Sequence, residues 1–262
     1  VLVAVFDPVT SSVRLSINGA TWGGTVPAYV TATRTVPGSA AVLVRGVIQK
    51  PLVGGYLVAV DHEMPLASQV TYQVTGYSAA GAVVATASAT VSTVGGSVGV
   101  WVKAPGRPDL SVLCQLADSP TLSSPTIGGT YQVIGGDAVA VSQWSGVAAD
   151  SGQLVLRTDA GAQTAALREL FRTARVVLLQ PVGESDLEPD WYYVGSVTPV
   201  NPGGFVGFGF RRWQVDVTRV RVPAGQQGGS TWTYGSVMAT FATYADLKAA
   251  YPSYFAMAQG PA

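Results

Sequence analysis

Residues 95–108, Gly95-Gly96-Ser97-Val98-Gly99-Val100-Trp101-Val102-Lys103-Ala104-Pro105-Gly106-Arg107-Pro108, divide the chain into two blocks of β-patterned sequence. Gly95, Gly96 and Gly99 loosen the backbone. Trp101 then sits in an apolar alternation with Val100 and Val102. Pro105 and Pro108 end any ladder, because proline has no N–H to donate. The stretch reads as a domain junction carrying a buried aromatic plug, with residues 96–108 as the linker. Gly95-Gly96-Ser97-Val98-Gly99 also matches the G-x-S-x-G pattern of a nucleophile elbow. That pattern needs a strand before the serine, a helix directly after it, and a later acid and histidine. Here a short strand and prolines follow, and the one histidine, His62, lies upstream, so a serine hydrolase is not expected.

The 262 residues are enough for one large domain or two ordinary ones. They are 48% hydrophobic, so real cores can form, but only 11% charged, under half the usual share. With 31 Gly, 16 Pro and abundant Val, Thr and Ala, the composition points to an all-β protein with many hairpins. A surface so poor in charge suits a subunit that is covered in an assembly. Formal net charge is zero, leaving no basic excess to neutralise phosphates, so dedicated nucleic-acid binding is not expected. Cys114 has no second cysteine to pair with and reads as a small buried apolar residue. There is no apolar run of membrane-spanning length. No charged n-region precedes an apolar core near Val1, so no secretory leader is expected.

In residues 1–95, Val13, Leu15 and Ile17 share a face, as do Val30, Ala32, Arg34 and Val36. Val42-Leu43-Val44-Arg45-Gly46 reads as a short buried strand. Tyr56–Val60, then Val70, Tyr72 and Val74, then Val83–Val91 continue the series. Six or seven short strands at this spacing predict an immunoglobulin/fibronectin III-like β-sandwich. Leu66 precedes Tyr72 by six residues, as in a tyrosine corner, where the hydroxyl returns to backbone at the preceding corner. His62 reads as an ordinary loop histidine.

In residues 109–223, Val112, Cys114 and Leu116 alternate, and Gly135-Gly136-Asp137 signals a hairpin between two apolar runs. Leu154-Val155-Leu156 reads as a buried strand. The period then changes. Leu167, Leu170 and Phe171 fall at i, i+3 and i+4, predicting one amphipathic helix near 163–173. Val176–Leu179 resumes as a buried strand. Trp191 and Tyr193 share a face of the next strand, and Trp213, Val215 and Val217 of the last. Val220 and Val222 are out of phase with these, predicting a β-bulge near Thr218-Arg219.

Glu184, Asp186, Glu188 and Asp190 stand at alternate positions, and Arg211, Arg212, Arg219 and Arg221 lie on the strand expected to pair with the one that follows them. Calcium ligation would want several oxygens, but the EF-hand loop glycine and terminal bidentate Glu are missing. The acids therefore read as a solvated loop, or as one side of an intersubunit contact with those arginines. No metal, cofactor-binding or catalytic residue is expected.

Residues 224–262 open with a Gly/Gln-rich linker. A period-ten repeat follows: Thr233-Tyr234 with Phe241, Thr243-Tyr244 with Leu247 and Tyr251, Ser253-Tyr254. Each unit reads as a short capped helical turn, with Thr243 and Asp246 as a capping-box variant. Turns this short are unstable alone, so Tyr234, Phe241, Tyr244, Leu247, Tyr251 and Tyr254 are expected to dock on something.

Several stretches carry a resemblance when taken in order. They are Val44-Arg45-Gly46, Asp61-His62-Glu63-Met64-Pro65-Leu66 ahead of Val70-Thr71-Tyr72, and Trp101-Val102-Lys103-Ala104-Pro105. Leu167-Arg168-Glu169-Leu170, Val177-Leu178-Leu179-Gln180-Pro181, Tyr193–Thr198 and the terminal Thr-aromatic repeat complete the set. Together they resemble the minor tail proteins of siphophages that infect actinobacteria. Val102 and Ala104 depart from the expected Leu and Asp, and Tyr replaces the commoner Trp in the tail. The resemblance implies a virion protein at the tip of a long non-contractile tail. Its second block would be similar to a tail-tube or distal-tail β-barrel that builds rings about the tail axis. The implied partners are further copies and other tail proteins, with no catalytic or cofactor residues to carry over. The alternative is a carbohydrate- or receptor-binding module at the tip that meets a host cell-surface glycan; six Trp and eleven Tyr could supply stacking platforms.

Overall fold

The computed structural model describes residues 1–22, 25–94, 98–132, 140–159, 161–183, 187–200 and 210–221, with Thr243, Asp246 and Lys248. At 21, 126, 128–132 and 140–146 only the backbone is described. The chain is mainly β, with a closed six-stranded barrel and further sheets.

The first unit contains β1 (Leu2–Asp7), β2 (Ser12–Asn18), β3 (Tyr29–Thr35), β4 (Val42–Leu43), β5 (Lys50–Pro51), β6 (Tyr56–Asp61), β7 (Gln69–Tyr77) and β8 (Val83–Ser92). One sheet runs β1-β2-β6; the other runs β4-β3-β7-β8, with β5 also on β3. All pairs are antiparallel. Period-two alternation puts Val13, Leu15 and Ile17 of one sheet and Val30, Ala32, Val70, Tyr72 and Val74 of the other into a single core. Val42 and Leu43 are instead half-exposed, and the chain turns at Arg45–Val47 in a 3₁₀ segment. The expected buried strand there is thus two exposed residues and a turn that tucks Val44 and Val47 inward.

The second unit contains β9 (Gly99–Lys103), β10 (Val112–Leu116), β11 (Thr121–Ser123), β12 (Thr126–Gln132), β13 (Ala140–Val147), β14 (Ser151–Thr158), α1 (Gly161–Thr173), β15 (Val176–Val182), β16 (Asp190–Val200) and β17 (Arg211–Arg219). The order β9-β15-β16-β17-β14-β10 closes on itself through β10–β9. Closure leaves no free edge on those six strands. Alternate residues of every barrel strand point inward: Val100 and Val102, Val112 and Cys114, Leu154 and Leu156, Val177 and Leu179, Tyr192 and Val194, Trp213, Val215 and Val217. The buried stripe Leu167, Leu170 and Phe171 of α1 joins the same core. Each such side chain contributes about 1.5–3 kcal/mol. Trp213 Nε1 donates to Thr158 Oγ1 at 3.1 Å, which lies 2.8 Å from Thr164 Oγ1 on the helix.

Two expectations are corrected. Gly99–Lys103, read as linker, is a barrel strand, because its apolar residues alternate with the pleat and pair on both sides. The bulge near Thr218-Arg219 is not formed. β17 ends at Arg219, and the register shift lies opposite, between Val194 and Val197 of β16. The phase break at Val220 marks a strand end rather than an inserted residue. Trp191 and Tyr193 share the face of β16 that points away from the barrel, Trp191 buried and Tyr193 exposed, and the barrel face belongs to Tyr192 and Val194. Among the described residues no helix is long and apolar enough to cross a membrane.

Two glycines are fixed by close approach of backbone. A Cβ on Gly152 would stand 1.8 Å from the Thr121 carbonyl oxygen, and one on Gly99 would stand 2.4 Å from that of Cys114. Gly152→Ala and Gly99→Ala are each expected to lower stability by about 2 kcal/mol in urea unfolding. Gly106→Ala, with nothing within 4 Å, is expected to be near neutral.

Candidate functional site: a polar junction between the two units

The outer face of β9 is where the two units meet. Val100 and Val102 point into the barrel, so Trp101 and Lys103 point out. Lys103 is fully buried there while Trp101 is only half-buried. The plug is therefore the lysine, not the tryptophan. The Lys103 ammonium lies 5.9 Å from the Trp101 ring centroid and donates to three oxygens. These are the Ser11 carbonyl, the His62 carbonyl at 3.2 Å and Gln180 Oε1 of β15. Gln180 Nε2 in turn donates to the Met64 carbonyl at 3.1 Å.

The loop after β6, Asp61-His62-Glu63-Met64, supplies the first unit's side of this contact. Asp61 is held by Arg34 Nη1 at 2.8 Å and by the Tyr72 hydroxyl at 3.0 Å, and it accepts the Glu63 amide at 3.0 Å. Tyr72 thus donates to a side-chain carboxylate rather than to backbone, a departure from the expected tyrosine corner. Glu63 pairs with Arg45 and accepts Trp191 Nε1 from β16 at 2.7 Å. The Arg45 guanidinium lies 4.9 Å from the Trp191 ring centroid. His62 and Met64 are fully buried, so the loop histidine is an interface residue.

Burial pulls the Lys103 amine down from 10.5 to about 7, against the opposing pull of the Asp61 carboxylate. Burial, reinforced by the Asp61 charge and hydrogen bond, pushes the Tyr72 phenol well up. Burial pushes the Cys114 thiol up to about 12, which suits an inert core residue.

Four stretches that carry the family resemblance meet at this junction: Arg45, Asp61–Met64, Lys103 and Gln180. The charged residues singled out from the sequence lie elsewhere. Arg219 gathers Asp190 at 2.5 Å, Asp150 at 3.1 Å and Glu188 at 3.3 Å within the chain. Its neighbours' hydrogen bonds, Asp150's foremost, push its guanidinium further up. Arg211 and Arg212 sit at the opposite end of β17, against Thr158 and Arg157. Arg221 follows that strand and is exposed. Glu184 and Asp186 lie outside the described residues. So do the docking residues Tyr234, Phe241, Tyr244, Leu247, Tyr251 and Tyr254. The capping box between them is formed: the Thr243 amide donates to Asp246 Oδ2 at 3.0 Å, and the Asp246 amide to Thr243 Oγ1 at 3.2 Å. Sequence reading missed Lys103, Gln180 and Glu63 as a set; the signal available was a lysine on the face of an apolar strand. Neither protein-family models nor curated proteins match this chain.

Lys103 makes the junction sensitive to pH. Its amine titrates near 7 when folded and near 10.5 when unfolded. Between these values the unfolded chain binds more protons, so stability rises with pH. Above about 9 the unfolded chain begins to lose the Cys114 proton that the folded chain keeps, which offsets the Lys103 contribution, so the rise levels off. A gain of about 2 kcal/mol between pH 7 and pH 9 is expected in urea titrations. It should be absent in Lys103→Met. Glu63→Ala removes the Arg45 pair and the Trp191 acceptor together. The expected loss is about 2 kcal/mol, with a changed tryptophan emission spectrum.

Proposed function

We propose that the chain is a structural, non-enzymatic minor tail protein of a long non-contractile phage tail. It assembles in several copies at the tail tip of the virion and organises the host-attachment machinery. In this reading the first unit is an immunoglobulin/fibronectin III-like sandwich, and the β1-β2-β6 sheet beside β4-β3-β7-β8 over one core supports it. The second unit is a ring-building barrel of the tail-tube or distal-tail kind.

One observation carries the assembly reading. β12 and β13 pair only with each other among the described residues, as a two-stranded sheet apart from the closed barrel. A two-stranded sheet is marginal in water by itself, and strands at a sheet edge pair readily with another chain. Residues 126–147 carry one charged side chain, Asp137, so nothing charged guards those edges. Ile127 and Val147 at its base are 52% and 57% exposed. A hairpin of this kind is stabilised by a neighbouring copy.

The carbohydrate-binding alternative ranks second. Trp22 and Trp101 are half-buried, and Trp191 and Trp213 are buried, so none of these four forms an exposed platform. The side chains of Trp144 and Trp232 lie outside the described residues.

Light scattering and negative-stain imaging of the purified chain test the proposal. Concentration-dependent closed rings are expected, reduced to monomer by Ile127→Lys with Val147→Lys at unchanged melting temperature. A wild-type chain that stays monomeric at every concentration, alone and with tail-tube subunits, would remove it.

A further inference from the structure

A cleft of about 580 Å³ opens beside the C-terminal end of α1. Arg168, Arg172 and Arg175 form its rim, with Phe171, Val197 and Pro199 among the apolar groups that line it. Arg168 and Arg172 are one helical turn apart and so lie on one side of α1. Arg175 follows the helix and is anchored through Nη1 to the Gly195 carbonyl at 3.3 Å. The Arg168 guanidinium lies 5.9 Å from the Trp213 ring centroid. All three arginines are exposed.

Three cations crowd one rim without a carboxylate in an ion pair with any of them among the described residues. The ion pairs seen among the described residues engage Arg34, Arg45, Arg107, Arg157 and Arg219. Two acids stand near. Glu169 exerts its charge on Arg107. Asp216 is occupied by the hydroxyl of Ser196 and by Gln153 Nε2. Nor are the arginines needed to cap the helix. The Thr173 hydroxyl takes the Glu169 carbonyl at 2.8 Å, and the Ala174 amide takes that of Leu170 at 2.7 Å. Guanidinium forks match the planar geometry of carboxylate and phosphate oxygens.

We infer that this cleft binds an oxyanion, phosphate or carboxylate, carried on an organic skeleton that rests on Phe171, Val197 and Pro199. The arginines supply the charge-assisted hydrogen bonds and the apolar lining receives the carbon frame. The inference holds for a single copy and does not depend on the assembly reading.

Calorimetric titration of the full chain with inorganic phosphate, glucose 6-phosphate, citrate and uncharged glucose tests it, with tryptophan fluorescence as a second readout near Arg168. Saturable binding of at least one anion and none of glucose is expected. Binding by the phosphates alone assigns a phosphate-bearing ligand, and by citrate alone a carboxylate-bearing one. Arg172→Gln and Arg168→Gln should each weaken binding about 10- to 100-fold, and Arg107→Gln, outside the cleft, should not. Both cleft positions are exposed, so an unchanged melting temperature is expected to accompany the loss. No saturable binding by any anion, or an equal loss in Arg107→Gln, would overturn the inference.

Discussion

The two units are joined through the buried Lys103 amine, whose positive charge burial disfavours. Taking that charge out of solvent costs several kcal/mol unless oxygens replace the water around it. Here they come from distant parts of the chain: the Ser11 and His62 carbonyls from the first unit and Gln180 from the barrel. The three directions available to an ammonium are thereby used, and the units meet in the orientation that fills them. An apolar contact of similar size would tolerate sliding; a set of directed hydrogen bonds does not. The Glu63–Trp191 bond and the Arg45 stack repeat the arrangement a short distance away, so the junction is held at two points rather than one.

Around this junction the two units divide the work. The barrel hides its six strands' edges by closure and fills its interior with alternate residues from each strand and with one helical stripe. What closure leaves outside is the β12–β13 hairpin on one side and the arginine-rimmed cleft on another. The cleft shares Phe171 and Trp213 with the core and adds arginines that the core does not use. This is the condition under which a scaffold can offer them to partners.

Much of this was legible in the residue pattern, for a physical reason. Wherever one face of a strand is dry and the other wet, period two is written in side-chain polarity. Val13-Leu15-Ile17 and Trp213-Val215-Val217 were read that way, and Leu167, Leu170 and Phe171 follow from the 3.6 period. The pattern fails where both faces of a strand are covered. On β9 the odd residues Trp101 and Lys103 share a face, and local sequence favours burying the aromatic one. Only the approach of the first unit, invisible to any short window, reverses that preference. Leu2–Asp7 is apolar on both alternations and so announces no face. Val220 breaks phase because its strand has ended, which polarity alone cannot distinguish from a bulge. The cleft had a weak signal in the helical spacing of Arg168 and Arg172, but Arg175 and Val197 join it only through the fold.

The junction's hydrogen bonds also span long stretches of chain: 92 residues from Lys103 to Ser11, 116 from Gln180 to Met64 and 128 from Trp191 to Glu63. Contacts this distant in sequence close late, after the loop entropy between them has been overcome. Met64 packs into the first unit's own core, so what waits for β9 and β15 is the hydrogen bonding of the His62 and Met64 carbonyls. The junction can therefore close only once sequence more than a hundred residues downstream of the Asp61–Met64 loop is in place.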